Sequence, residues 1–222
     1  MIERYSRKEL VDIWRDLNKY NLWLKIEIAA AEAMEKLNVI PKGVSKKVKS
    51  KAKIDIKRIK KIEDNVKHDV IAFLTSITEK VGEEAKFLHK GLTSSDILDT
   101  CFNLQLKQSG QILLKDFDNL LTSIKKQAIK HKHTLCIGRS HGIHAEPTTF
   151  GLKMLSFYQE FLRNRKRLVD SINEISTCAI SGAVGTFTIL RGTTELLEKQ
   201  PTHTVSVNAG TDVKGAKVGF TG

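Results

Sequence analysis

The chain has 222 residues, 41% hydrophobic and 28% charged, enough apolar content for one large or two small globular domains with a buried core. Thirty-seven Lys and Arg against 25 Asp and Glu leave a net charge of +12, which raises nucleic acid, an anionic membrane face or a polyanionic small molecule as partners. There is no apolar run near 18 residues, no apolar signal core at the amino terminus, and no C-x-x-C pair among Cys101, Cys136 and Cys178, which argues against a membrane span, secretion, a disulfide framework and a zinc site, and makes a reducing cytoplasm the expected compartment.

Helix follows helix along the chain. Ser6-Arg7-Lys8-Glu9 matches the S-x-x-E capping box, and Leu10, Ile13, Trp14 and Leu17 behind it predict one apolar face. Tyr20, Trp23, Leu24, Glu27, Ala31, Met34 and Leu37 continue at i, i+3/i+4 spacing as far as Pro41, with both tryptophans expected to pack in the core. Residues 42–61 hold ten Lys/Arg and one acid, Asp55, so +9 of the net charge sits in this segment. Val44, Val48, Ala52, Ile56, Ile59 and Ile62 recur beneath the lysines at helical spacing, the pattern of an amphipathic helix with a solvated outer face. A nucleic-acid patch is the alternative. Two features weigh against it: the chain has 28 Lys to 9 Arg, although forked Arg suits base and phosphate recognition, and the segment has no aromatic residues for base stacking.

Val70, Ile71, Leu74, Ile77 and Val81 predict a helix that stops at Gly82. Lys90-Gly91-Leu92-Thr93-Ser94-Ser95-Asp96 precedes another; its hydroxyls and helix-start N–H groups suit an anion, with a plain N-cap as the equal alternative. From Asp96 a long apolar stripe runs to Ala128, with Gly110 either separating two helices or kinking one. A second long stripe follows Pro147, from Phe150 to Ile175. Two helices of roughly 25 residues, each about 38 Å long, predict a bundle, and no strand alternation is read before residue 180. Between the stripes, residues 138–147 hold two glycines, two histidines and a proline, the composition of a polar active-site loop. Residues 188–222 lose helical periodicity and suit short strands or no fixed structure.

Among the histidines, His89, His131 and His133 read as solvent-facing, His203 lies in the tail, and His68 beside Asp69 fits a structural neighbour pair. His141 and His144 lack a third ligand at metal-site spacing, so acid–base chemistry is the more economical role for them. No P-loop, dinucleotide fingerprint or nucleophile elbow occurs.

Five segments taken together resemble the adenylosuccinate lyases of the fumarase/aspartase superfamily. They are Met1-Ile2-Glu3-Arg4-Tyr5-Ser6, Lys67-His68-Asp69-Val70-Ile71-Ala72-Phe73, Gly91-Leu92-Thr93-Ser94-Ser95-Asp96, Gly138 to Gly151 (GRSHGIHAEPTTFG) and Ile180-Ser181-Gly182-Ala183-Val184-Gly185-Thr186-Phe187. Their order and spacing also fit, over about residues 1–187. The resemblance implies an all-α subunit: a small N-terminal helical domain, 1–110, followed by part of a long-helix bundle of the fumarase/aspartase type, 111–187, with 188–222 unmatched. It implies a cytoplasmic homotetramer whose active sites draw on several subunits, a nucleotide substrate, no metal or organic cofactor, and neither nucleic acid nor membrane as partner. The implied reaction is β-elimination of fumarate from adenylosuccinate, giving AMP, and from the succinyl-aminoimidazole carboxamide ribotide of purine biosynthesis.

Carried onto this sequence, the resemblance makes His141 the general acid that protonates the departing nitrogen, with His68 assisting. Arg4 and Tyr5 would bind the phosphate, Lys67 and Asp69 would line the substrate site beside His68, and Thr93 and Ser94 would hold a succinyl carboxylate. The family often has Arg where Lys67 stands, and Thr where Ser95 and Ser140 stand. After Phe187 its pattern is lost. A loop of the S-S-x-M-P-x-K-x-N-P kind, whose serine takes the Cβ proton, does not occur in the 222 residues. This fits a truncated, chimeric or mis-joined lyase, expected to be inactive alone. Two alternatives stay open: another fumarate-releasing lyase of the superfamily, against which a phosphate-binding Arg4-Tyr5 argues, and a non-enzymatic basic helical protein binding nucleic acid through residues 42–61.

Overall fold

Helices dominate the computed structural model, which describes residues 2–187, 204–208 and 217–221. After a short 3-10 turn at Glu3–Tyr5 come α1 (Lys8–Trp14) and α2 (Asp16–Lys36). The expected capping box does not form. The Ser6 hydroxyl donates to the Ile2 carbonyl at 3.1 Å, and Arg7 takes the N-cap position with its guanidinium turned to Glu9 at 3.4 Å rather than capping the helix. The apolar face predicted through Leu17 is also interrupted. Arg15 is extended (φ −75°, ψ 152°) and separates the two helices, with its guanidinium 3.0 Å from both Glu3 and Asp12. Leu17, now on α2, is exposed, while Asn18 donates to the Ile13 carbonyl at 2.8 Å and satisfies an end of α1.

The core forms where α2 meets α5 (Asp69–Val81). Trp23 sets its edge against Tyr20 and Phe73, at centroid distances of 5.2 and 5.4 Å, and Tyr20 stacks on Phe73 at 6.0 Å. Trp14 is only half-buried, edge-on to Phe102 at 6.0 Å. The basic segment is two helices rather than one, α3 (Val44–Lys51) and α4 (Ile56–Val66). Asp55 breaks the run because its carboxylate caps α4, accepting from the Arg58 N–H at 3.0 Å. Val44, Val48, Ile59 and Ile62 are buried as their spacing predicts. Lys47, Arg58 and Lys60 pair with Glu84, Glu79 and Asp16, so part of the positive charge is neutralised within the fold. Helix α5 ends at Gly82, at φ +86°.

Helix α6 (Ser94–Lys130) has 37 residues, about 55 Å, and runs unbroken through Gly110. A hairpin of β1 (Leu135–Ser140) and β2 (Ile143–Thr149) follows, then α7 (Phe150–Ile175). This hairpin overturns the expectation of no strand before residue 180. The alternation in β1 is only a few residues long, and β2 contains Pro147, a residue confined to strand edges; both strands of a two-stranded hairpin are edges. Thr177–Ala179 (β3) pairs antiparallel with Lys217–Thr221 (β5), which also pairs with Thr204–Asn208 (β4), giving the order β3-β5-β4. None of the described helices is long and apolar enough to cross a membrane.

The chain divides into two compact units. One joins residues up to Lys107 with those from Ile175 onward; the other is Gln108–Glu174. In the second unit Phe117 meets Phe161 edge-on at 5.9 Å, and Arg165 grips Asp118 through two bonds of 2.5 and 3.2 Å. Where α7 begins, Gly151 has no room for a side chain. A Cβ there would lie 2.5 Å from the Ala128 carbonyl oxygen and 2.6 Å from the Lys132 Cα.

Candidate active site

In the first unit the chain reverses between α4 and α5 at Lys67, which is left-handed (φ 55°) and exposed. The reversal puts His68 in extended conformation at the N-cap of α5, where its Nδ1 accepts from the Ile71 N–H at 3.4 Å. An accepting Nδ1 leaves the ring hydrogen of neutral imidazole on Nε2, which lies 3.4 Å from the Ser94 hydroxyl at the start of α6. Nδ1 is also 3.6 Å from Asp69 Oδ1. Asp69 itself accepts from the Val70 N–H at 2.7 Å.

Thr93 and Asp96 bond reciprocally across the first turn of α6. The Thr93 N–H donates to Asp96 Oδ2 at 2.9 Å, and the Asp96 N–H donates to the Thr93 carbonyl at 3.0 Å. Asp96 reaches further, accepting from the Ser181 N–H at Oδ1 and the Gly182 N–H at Oδ2, both at 3.1 Å. The structure thus gathers His68, Asp69, Thr93 and Ser94 with the Ser181–Gly182 turn in one unit. An imidazole and a hydroxyl at the positive end of a long helix dipole suit an anionic ligand. Arg4 and Tyr5 form their own pair, the guanidinium 4.7 Å from the ring centroid, and Tyr5 is 74% exposed.

His141 belongs to the second unit, at the tip of the hairpin. It and Gly142 both have positive φ, 53° and 77°, the geometry of a two-residue type I′ turn. His is among the few non-glycine residues that occupy this region with any frequency. The segment expected to be a loop is therefore a hairpin that presents His141 in its turn and His144 opposite Arg139, all three exposed.

Two of the other histidines are not solvent-facing as expected. His89 is held by Glu27, which is 1% exposed; one carboxylate oxygen takes the His89 N–H at 2.8 Å and the other meets Nδ1 at 2.7 Å. The partner lies 62 positions away on α2, in an apolar stripe, so no local signal announces it. His131 is half-buried, 3.1 Å from the Thr134 hydroxyl and edge-on to Phe150 at 5.4 Å. His133 is exposed, and His203 lies outside the described residues. Among the described residues no group of three His, Cys, Asp or Glu could hold a metal ion.

The fold is shared with solved structures of other enzymes. A fumarate lyase from Mesorhizobium sp. BNC1 superposes with a TM-score of 0.78 over 87% of this chain and 49% of its own, at 23% identity. The 3-carboxy-cis,cis-muconate lactonizing enzyme from Pseudomonas putida gives 0.78 over 90% and 50%, at 24% identity. The sequence model described as Lyase matches residues 3–211, and the chain belongs to this family. Curated adenylosuccinate lyases of Thermotoga maritima and Bacillus subtilis are 47% and 48% identical over 187 residues, and that of Aquifex aeolicus is 47% identical over 190. Each alignment covers 84% of this chain, which spans only 43–44% of the length of these relatives.

Proposed function

We propose that the chain carries the substrate-binding and proton-donating part of an adenylosuccinate lyase, an enzyme of purine biosynthesis that releases fumarate from adenylosuccinate. The 46–48% identity to four curated adenylosuccinate lyases carries this reading. The grouping of His68, Thr93 and Ser94 around one helix start supports it.

In the elimination, a general base from outside these 222 residues takes the succinyl Cβ proton, the C–H electron pair becomes the second bond of fumarate, and the C–N bond breaks with its pair going to nitrogen, which receives a separate proton. Negative charge builds on a succinyl carboxylate as the proton leaves. Thr93 and Ser94 donate to that carboxylate, and such donors act most strongly where charge grows. His141 delivers the proton to the departing nitrogen, since imidazolium is available near neutral pH. His68, with its Nε2 toward Ser94, assists; Lys67 and Asp69 line the same site, and Arg4 and Tyr5 take the phosphate. A homo-oligomer, tetrameric as in the family, would cover the exposed Leu152, Leu155, Phe157 and Leu162 of α7. Three reduced thiols fit a cytoplasmic setting.

The test joins residues 1–187 of this chain to the remaining length of the Thermotoga relative and follows fumarate release by its ultraviolet absorbance. Turnover of adenylosuccinate, lost in His141→Ala, is expected. A folded protein that turns over argininosuccinate and not adenylosuccinate would transfer the assignment to another lyase of the superfamily.

A further inference from the structure

We propose that Asp96 is a positioning residue of the site: its buried carboxylate fastens the Ser181–Gly182 turn to the start of α6 and so fixes where Thr93 and Ser94 stand against His68. This rests on the reading of that site as the substrate pocket of a lyase. Asp96 touches no substrate group itself and acts through the backbone it holds.

An acid three residues past a helix cap ordinarily accepts one N–H from the cap residue and faces water. Asp96 does more. It is 2% exposed, and its two oxygens take three backbone donors: Thr93 N–H at 2.9 Å, Ser181 N–H at 3.1 Å and Gly182 N–H at 3.1 Å. Ser181 and Gly182 belong to no helix or strand, so this carboxylate is what answers their amides. The turn lies directly on the loop before α6: a Cβ on Gly182 would be 3.4 Å from the Gly91 carbonyl oxygen. The chain closes the turn on itself through Phe187 N–H to Ser181 O at 3.1 Å. Both segments that meet at Asp96 belong to the motifs that carry the family resemblance, although they lie 85 residues apart.

The geometry dictates an acceptor-only side chain. Asparagine has the same shape but replaces one oxygen with an NH2 group, which would face an N–H donor. In Asp96→Asn at least one of the three amides loses its acceptor, the turn loosens, and Ser94 is no longer held at one distance from His68. Asp99, one turn on and exposed, serves as the control in Asp99→Asn.

The experiment uses the 15N-labelled 222-residue chain. Titration calorimetry with adenylosuccinate should show affinity falling about tenfold or more in Asp96→Asn and unchanged in Asp99→Asn. NMR of the ligand-free proteins should show the His68 ring and Ser94 amide signals displaced in Asp96→Asn alone. Unchanged affinity in Asp96→Asn overturns the proposal. So does weakened affinity with the His68 and Ser94 signals at their original positions, which marks a merely structural role. If the unmodified chain binds no adenylosuccinate, the affinity comparison moves to the joined protein described above, whose failure to turn over adenylosuccinate is what sinks the lyase reading; the ligand-free signals decide the role of Asp96 in either case. Amide exchange in the unmodified chain needs no variant: Ser181 and Gly182 should be protected, and free exchange of both overturns the proposal even if Asp96→Asn does not fold.

Discussion

His68 Nε2 stands 3.4 Å from the hydroxyl oxygen of Ser94, while Nδ1 of the same ring caps α5. One side chain therefore serves a helix and a candidate ligand site at once, and substitutions can separate the two duties. Asparagine is a good N-cap, so His68→Asn should melt within a few degrees of the unmodified chain yet bind adenylosuccinate about tenfold more weakly. His68→Leu loses the cap as well, about 1 kcal/mol of stability. Equal affinity of His68→Asn and the unmodified chain, by calorimetry, would remove the imidazole from the site.

The buried Glu27 holds His89 by backbone and ring together. Glu27→Ala leaves both donors without an acceptor and should cost about 3 kcal/mol in urea unfolding. Glu27→Gln should cost clearly less, because its amide still accepts from the His89 N–H and donates to Nδ1. Equal losses in the two variants would show that volume, not pairing, matters there.

Gly151 opens a contest between two terms of opposite sign. Alanine is favoured over glycine in a helix by about 1 kcal/mol. Here, however, the added methyl meets backbone atoms at 2.5 and 2.6 Å, which cannot swing aside as a side-chain tip can. Overpacking of this kind costs about 1–3 kcal/mol, so Gly151→Ala should lower the melting temperature. A rise would mean that the approach of α7 to the end of α6 is looser than described.

Burial pushes the Cys101 thiol up to about 11. Only the thiolate attacks a disulfide reagent, and a raised value keeps the thiol protonated, so Cys101 should stay inert near pH 8 and gain reactivity only as the pH approaches that value. Cys178 is also buried, whereas Cys136 is half-buried on β1. One fast-reacting thiol is therefore expected in the native chain and three in urea. Loss of the fast phase in Cys136→Ser checks the assignment; rapid labelling of Cys101 at pH 8 would contradict the packing around it.

Much of the helical frame follows from short-range pattern. The i, i+3/i+4 spacing located α5, α6 and α7 and the buried faces of α3 and α4, because a helix shows its periodicity within a few turns of chain. Residues 90–96 read as a helix start suited to an anion for the same reason, since caps depend on neighbours; Lys67, His68 and Asp69 became site candidates only through the family resemblance. Other features were invisible at that range. Arg15 ends α1 inside an apolar stripe, and the hairpin at 135–149 hides behind short alternation and a proline. Glu27 reads as one more position on a helix face until His89 arrives from 62 residues away, and Asp96 reads as a cap until Ser181 and Gly182 reach it. Local sequence governs which backbone groups need partners; only the folded chain decides which distant side chain, buried where water cannot compete, supplies them.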